Sequence, residues 1–445
     1  MTQRLATCMC VLTVGVSCLL AMSAKSPLRS TYKTDCVTVF LTGNELGALQ
    51  PCGCSSGQLG GLDRRSAIFN SVPAEARLIV DTGSLVDGDS EQDLIKFDIV
   101  LQAFNLLDYD LVNLSGKDIE IARSRGVLDN IASVFNVISS QGGDETDLPA
   151  KFTKQLLLKE KVVAVTIAAF DAESTPVEQI SELFAPQSGL QTVNILILNK
   201  CLSAIIESIA EMGIIDCIVC PPESDEPEII SKPNDKPLVI SVGRFGEYIG
   251  KLQITAAESV DEPSYSFLPV PVTEDLTQEK LLVELYEGYQ QLVKEENLLE
   301  RQPRFTLPNG LEYTGSKSCK SCHEYEYKKW SGKAHVHAYA TLERVGSQYD
   351  PECIICHVVG FEYESGFVSE PQSSEDLKNV GCENCHGPGS EHIRTLGQVG
   401  TAEPMSDCTD CHTPERSAEY AENEQLYFEK MVHWREPNTV GGVKE

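Results

Sequence analysis

Four pentapeptides of the form Cys-x-x-Cys-His crowd into the last third of the chain. They are Cys319-Lys320-Ser321-Cys322-His323, Cys353-Ile354-Ile355-Cys356-His357, Cys382-Glu383-Asn384-Cys385-His386 and Cys408-Thr409-Asp410-Cys411-His412. This pattern is the attachment signal for c-type haem. Two thiols separated by two residues reach the two vinyl groups of one porphyrin, and the adjacent histidine falls beneath the iron as its proximal ligand. One copy is weak, because a zinc knuckle has similar spacing. Four copies, which absorb four of the eight histidines in 445 residues, predict four covalently attached haems c. The cofactor-binding residues are then Cys319, Cys322, Cys353, Cys356, Cys382, Cys385, Cys408 and Cys411, with His323, His357, His386 and His412 on the metal. Zinc knuckles would instead leave the protein colourless.

The other histidines, His335, His337, His392 and His433, number one per haem. Bis-histidine iron keeps its coordination on reduction, which suits outer-sphere electron transfer. His335 and His337, two residues apart on an expected helix, face different ways and cannot share an iron. His337 then reaches a second haem or hydrogen-bonds a propionate, and His433 serves the first haem or the last. About 35 residues per haem leaves the porphyrins to form most of the local core. A mainly helical, loop-rich segment is expected.

The formal net charge of −30 excludes nucleic acid as a partner, because nothing would neutralise phosphates. It points instead to a redox partner protein with a basic face, or simply to a soluble surface. Arg4, the apolar run Leu5–Met22 and the small residues Ser23 and Ala24 have the form of a secretory signal peptide over 1–24. Export fits haem attachment, which in bacteria takes place outside the cytoplasm, so a periplasmic or other extracytoplasmic location is expected. Membrane association is expected only if that segment is retained as an anchor. Cys18 lacks the usual preceding leucine of a lipoprotein signal.

Of seventeen cysteines, Cys36, Cys52, Cys54, Cys201, Cys217 and Cys220 lie outside both the leader and the haem motifs. In an oxidising compartment some should pair. Cys217-Ile218-Val219-Cys220 has redox-motif spacing but sits on an apolar strand without a helix N-terminus, so core packing or a disulfide is expected there. A structural disulfide is likewise the expectation at Pro51-Cys52-Gly53-Cys54.

From Cys36 to about Thr255, short apolar runs alternate with helical stretches, the pattern of a layered α/β domain. Strands are predicted at Val37–Leu41, Leu78–Asp81, Leu111–Leu114, Val134–Ile138, Val162–Ile167, Asn194–Leu198, Ile215–Val219, Leu238–Val242 and Ile249–Ile254. Helices are predicted at Gln92–Leu107, Lys117–Ile131 and Cys201–Met212, and acidic, proline-rich loops at Pro221–Pro237 and Asp261–Pro271. Asp275–Arg301 reads as one long connector helix. The organisation is thus a leader (1–24), an α/β domain (34–271), a connector (274–302), a haem segment (304–436) and a tail (437–445).

Val37-Thr38-Val39-Phe40-Leu41-Thr42-Gly43-Asn44, Gly60-Gly61-Leu62-Asp63-Arg64-Arg65, Asp81-Thr82-Gly83-Ser84 and Val242-Gly243-Arg244-Phe245-Gly246-Glu247-Tyr248-Ile249-Gly250 resemble the opening and closing strands of the 5′-nucleotidase type of metallophosphoesterase. That family holds two metals with Asp-x-His, Gly-Asp, Gly-Asn-His and Gly-His-x-His motifs. Here those places read Asn44-Glu45-Leu46-Gly47, Ser84, Ser115-Gly116-Lys117-Asp118 and Cys220-Pro221-Pro222, and no histidine precedes His323. Without imidazole ligands, and with Lys117 nearby, no dinuclear centre is expected. The resemblance therefore implies the fold without phosphohydrolysis.

Tyr313–Trp434 resembles the tetrahaem cytochrome c-554 family. The likeness rests on Trp330-Ser331 and His335 after the first motif, on Gly381-Cys382-Glu383-Asn384-Cys385-His386-Gly387-Pro388-Gly389-Ser390-Glu391-His392, and on Cys411-His412-Thr413-Pro414. It implies closely stacked haems, mostly bis-histidine, passing electrons along a chain, with His335 and His392 as ligands. In that family's type member one haem is five-coordinate. The function expected is electron transfer between partners, the α/β domain serving as scaffold. The alternative is an oxidoreductase acting on a small nitrogen oxide at an open haem.

Overall fold

The computed structural model describes residues 35–51, 57–140, 148–158, 161–184, 190–232, 235–256, 263–370, 375–401, 407–413, 416–417 and 419–434. The expected leader, the tail 437–445, and Cys52 and Cys54 lie outside these residues.

Two mixed sheets stack face to face. The first contains β1 (Cys36–Thr42), β2 (Arg77–Asp81), β3 (Leu111–Asn113), β4 (Val137–Ile138), β10 (Tyr248–Thr255) and β11 (Ser264–Pro271), in the order β11-β10-β1-β2-β3-β4. The second runs in chain order through β5 (Lys151–Leu158), β6 (Lys161–Phe170), β7 (Gln191–Leu198), β8 (Cys217–Cys220) and β9 (Leu238–Ser241). Strands β1 to β4 are mutually parallel, as are β6 to β9, while β10, β11 and β5 pair antiparallel at the edges.

The two-residue period of a strand sorts the side chains into layers. Val37, Val39 and Leu41 of β1 meet Val163, Val165 and Ile167 of β6 in the core between the sheets. Phe40 and Ile79 point outward, under the helix Glu91–Leu106. Leu196, Leu198 and Ile218 point outward from the second sheet, under the helix Ser203–Met212. The result is a four-layered α/β/β/α domain, the layered arrangement that the strand pattern predicts.

The same period explains the cysteines. Cys217 faces the inter-sheet core and Cys220 the helical layer, because residues three apart on a strand point to opposite faces. They cannot bond to each other. Cys220 pairs instead with Cys201, at a Cα separation of 5.5 Å, and the helix begins beyond Cys201, at Ser203.

Other elements differ from the sequence reading for local reasons. The predicted helix Lys117–Ile131 is two helices, Gly116–Ser124 and Leu128–Val134, separated at Gly126 with φ +66. The second reaches Val134, the first residue of the predicted strand Val134–Ile138, and after Phe135 and Asn136 only Val137–Ile138 is strand. Part of the predicted loop Asp261–Pro271 is the edge strand β11, where Pro269 and Pro271 are tolerated because an edge needs fewer donors. The connector is Lys280–Glu295, broken at Asn297 (φ 53) before a short helix Leu298–Arg301, rather than one helix from Asp275.

Leu282, Tyr289 and Val293 of the connector, spaced by seven and four residues, join the core of the first helical layer. Beyond it, Leu299, Leu307, Tyr339, Leu342, Ile354 and Phe367 help form a separate apolar cluster that ends at Leu377. The haem-motif segment thus has a core of its own around the second motif, and little buried apolar chain after it. Among the described residues no helix is long and apolar enough to cross a membrane.

Peptide mapping of alkylated, non-reduced protein is expected to recover Cys201 joined to Cys220, with Cys217 unreactive until the chain unfolds. A link involving Cys217 would contradict the strand register. The bond closes a 19-residue separation, and Cys220→Ser should lower unfolding stability by about 3 kcal/mol on chain-entropy grounds.

Candidate functional site

At the carboxyl edge of the first sheet the chain packs a guanidinium. Arg65, fully buried, donates from Nη1 to Glu45 Oε1 at 2.6 Å and from Nη2 to Glu45 Oε2 at 2.5 Å, and again from Nη1 to the Tyr109 hydroxyl at 3.1 Å. Tyr109 contacts Thr42 Oγ1 at 3.0 Å, and Thr42 donates to Asp81 Oδ2 at 2.8 Å. Burial, then the like charge of Glu45, pushes the Asp81 carboxyl well above the usual range. Lys117, the cation expected here, is instead partly exposed and lies 3.5 Å from Asp89.

Asp118 no longer offers a free carboxylate. It accepts from the backbone N–H groups of Ser84, Leu85 and Ser115 at 2.9, 3.0 and 2.9 Å, closing a capping box with Ser115. The loops around this cluster keep unusual backbone, with positive φ at Asn44, Leu46, Ser84 and Phe245. Gly246 has no room for a side chain, since a Cβ there would lie 1.9 Å from Arg65 Nη2. Among the described residues no cluster of three or more His, Cys, Asp or Glu side chains is arranged to hold a metal ion. In the sequence Arg65 stands only as the last residue of Gly60-Gly61-Leu62-Asp63-Arg64-Arg65; its role needs the fold to bring it against Glu45.

The Cys-x-x-Cys-His motifs sit on short elements: the 3-10 turns Ser316–Cys319 and Cys408–Asp410 and the helices Pro351–Ile354 and Cys382–His386. The fold brings the histidines together in a regular way. Ring centroids are 6.0 Å apart for His323 and His392, 6.3 Å for His335 and His412, and 6.2 Å for His386 and His433. Each of these contacts joins one motif histidine to one histidine outside the motifs.

Several rings are also oriented. Nδ1 lies 2.6 Å from Ala338 O in His357, 2.7 Å from Val399 O in His392, 3.1 Å from Met431 O in His433, and 3.0 Å from Ser417 Oγ in His412. A proton on Nδ1 given to such an acceptor leaves Nε2 as a bare lone pair. Burial lowers the pKa of His335, His357, His386 and His412 below the usual histidine value, so these rings stay neutral. His412 is further held by Tyr420, stacked on it at 4.8 Å. His335 and His337 lie on the 3-10 turn Ala334–His337 rather than on an α-helix, and His337 is exposed.

Thiols of different motifs also meet. Cys319 couples to Cys382, and Cys356 to Cys411. The neighbouring Cys411 thiol, with Arg416 Nη1 3.5 Å away, lowers the Cys356 thiol to about 6 despite its burial. Burial, then the neighbouring Cys408, raises the Cys385 pKa.

The two spacer residues of the third motif carry unforeseen structural roles. Buried Glu383 accepts from the N–H groups of Thr314, Gly315 and Gly389 at 3.0, 2.8 and 2.8 Å. Asn384 bridges Gly381 N and Val358 O at 2.8 and 2.9 Å. A cavity of about 1100 Å³ runs from the second and fourth motifs to the remodelled sheet edge, lined by Cys356, His357, Cys411 and His412 on one side and by Leu46 and Phe245 on the other. Its size exceeds the roughly 300–1,000 Å³ of ordinary small-molecule sites. Neutral paired imidazoles, converging thiols and this volume fit haem c.

Residues 318–387 match the family described as cytochrome c554 and c-prime. The cytochrome c-554 of Nitrosomonas europaea is 33% identical over 106 residues, 19% of this chain and 45% of that protein, so this chain spans less than half the length of that relative. Among solved structures, the 5′-nucleotidase precursor of Thermus thermophilus aligns at 16% identity and TM-score 0.45, over 61% of each chain. The calcineurin-like phosphoesterase YfkN of Bacillus subtilis aligns at 14% identity and TM-score 0.44, over 59% of this chain and 98% of that one.

Arg65→Met leaves Glu45 buried and unpaired, a change expected to cost about 3–5 kcal/mol. Urea unfolding followed by circular dichroism checks this. Arg65→Lys should not restore the midpoint, since one ammonium cannot make the two-pronged contact. An unaltered midpoint in Arg65→Met would show that the cluster is dispensable.

Proposed function

We propose that this protein is an exported electron carrier whose carboxy-terminal segment binds four haems c, and whose α/β domain is a scaffold without phosphohydrolase activity. The carrying observation is the set of cross-pairings between motif and non-motif histidines. A nitrogen ligand lies roughly 2 Å from a transition metal, so two imidazoles on opposite sides of one metal have centroids on the order of 6 Å apart. The separations of 6.0, 6.3 and 6.2 Å agree.

His323 with His392 would hold the first haem, His386 with His433 the third, and His412 with His335 the fourth. His357, pinned on Ala338, is the proximal ligand at the second. His337 is left by count for the second. When bound, haem iron supplies a one-electron couple, and everything else is the chain's part. Its residues aim the imidazoles, favour their neutral form and space the attachment sites. The couplings of Cys319 with Cys382, Cys385 with Cys408 and Cys411 with Cys356 support the order first, third, fourth, second, a line suited to conduction. An acidic carrier of net charge −30 suits a basic redox partner.

Pyridine haemochrome assay should return about four haems per chain, from the attachment count; a colourless protein would end this reading. His392→Ala should convert the first site alone to a high-spin electron paramagnetic resonance signal, and His337→Ala should do so only at the second. If His392→Ala leaves the low-spin intensity intact, the pairing is wrong.

A further inference from the structure

The α/β domain does more than sit beside the haem segment. Its helix Glu91–Leu106 presents Gln92 and Lys96, four residues apart and so on one face, to the stretch that leads into the second motif. Gln92 Nε2 donates to Asp350 Oδ1 at 2.7 Å and to the Tyr289 hydroxyl at 2.8 Å, and Tyr289 donates to Asp350 Oδ2 at 2.9 Å. Lys96 Nζ meets both oxygens of Glu352 at 2.5 Å. Gln92, Lys96, Tyr289 and Asp350 are all buried.

Asp350 is also the cap of the helix Pro351–Ile354, accepting from Glu352 N at 2.9 Å, and that helix carries Cys353. The connector adds a second hold, as Gln290 Nε2 donates to Val345 O at 2.8 Å. Lys96 is itself fixed from behind. Gly47, at φ +80, packs so closely that a Cβ there would lie 3.0 Å from Lys96 Cδ. Lys96, Asp350 and Glu352 line the same cavity as Cys353, Cys356 and His357, whereas Cys319, Cys322 and His323 of the first motif do not line it.

We propose that Gln92 and Lys96 are positioning residues for the second haem, so that the α/β domain orients one chosen haem and sets its potential. The inference rests on haem being bound as proposed above. A buried polar network is expensive unless fully satisfied, and this one is spent on residues at most three positions before Cys353. Its charge has a sign. Lys96 offsets Glu352 beside the cavity; without it a net negative charge remains, which favours the more positive, oxidised iron and lowers the potential. Burial and outer hydrogen bonds are established levers on haem potential.

The test uses the full haem-loaded chain, with potentials read by spectroelectrochemical titration. The second-site and first-site waves are assigned by their loss in Cys353→Ser/Cys356→Ser and in Cys319→Ser/Cys322→Ser. Lys96→Met should lower the second-site potential and leave the first-site potential in place, and Lys96→Arg should restore it. Gln92→Ala, which keeps the charge but removes one donor from Asp350, should alter the second-site spin signal or reduce the haem count from four to three. Equal movement of both waves in Lys96→Met would overturn the proposal, as would an unmoved second wave. If that chain does not fold, Gln92→Ala decides alone, and four haems with an unaltered second-site signal overturn the proposal. Absence of haem from the unsubstituted chain is a different result, which sinks the cytochrome reading itself.

Discussion

An imidazole has two nitrogens, and a metal can use only one that carries a lone pair. Giving the Nδ1 proton to a fixed acceptor settles the tautomer and the aim of Nε2 together. His357, His392 and His433 do this through backbone carbonyls and His412 through a serine hydroxyl. Two of those acceptors lie at helix ends, Ala338 opening Ala338–Val345 and Met431 closing Tyr420–Met431, and two, Val399 and Ser417, lie in loops. The course of the chain and the aim of the rings are thus set together.

That demand also explains how the segment is held without long helices. Its apolar cluster closes at Leu377, so the later turns depend on polar anchors. Glu383 gathers N–H groups from Thr314, Gly315 and Gly389, three donors from two distant stretches of chain. A carboxylate accepting several backbone donors is among the stronger neutral-to-charged contacts a protein can make. Placing it inside an attachment motif fixes the thiols of Cys382 and Cys385 relative to the loop that precedes the first motif. Ser316 adds to this by accepting from Cys382 N at 3.0 Å.

What could be read from the chain and what could not divides along physical lines. The attachment motifs are local in sequence, and so are the alternating runs that become β1, β2, β6 and β7. The edge strand β11 hides because its two prolines and polar residues mimic a loop, and only its partner β10 makes it a strand. The break at Asn297 depends on a left-handed residue with no proline or glycine to announce it. Cys201 finds Cys220 across a helical layer, which spacing alone does not reveal. The histidine pairs span 69, 77 and 47 residues, so their count was legible and their partners were not. Arg65, Gln92 and Lys96 look like ordinary surface polar residues until the fold buries them.

The buried guanidinium connects these halves. A sheet edge that works on phosphate esters through bound metals must stay open to solvent and substrate. An edge that walls a cofactor chamber must be closed and unmoving, and one surface cannot serve both ends. Arg65 resolves the conflict by supplying fixed positive charge to Glu45 with no exchangeable ion and no open coordination site. The turns at Leu46 and Phe245, both at positive φ, line the cavity.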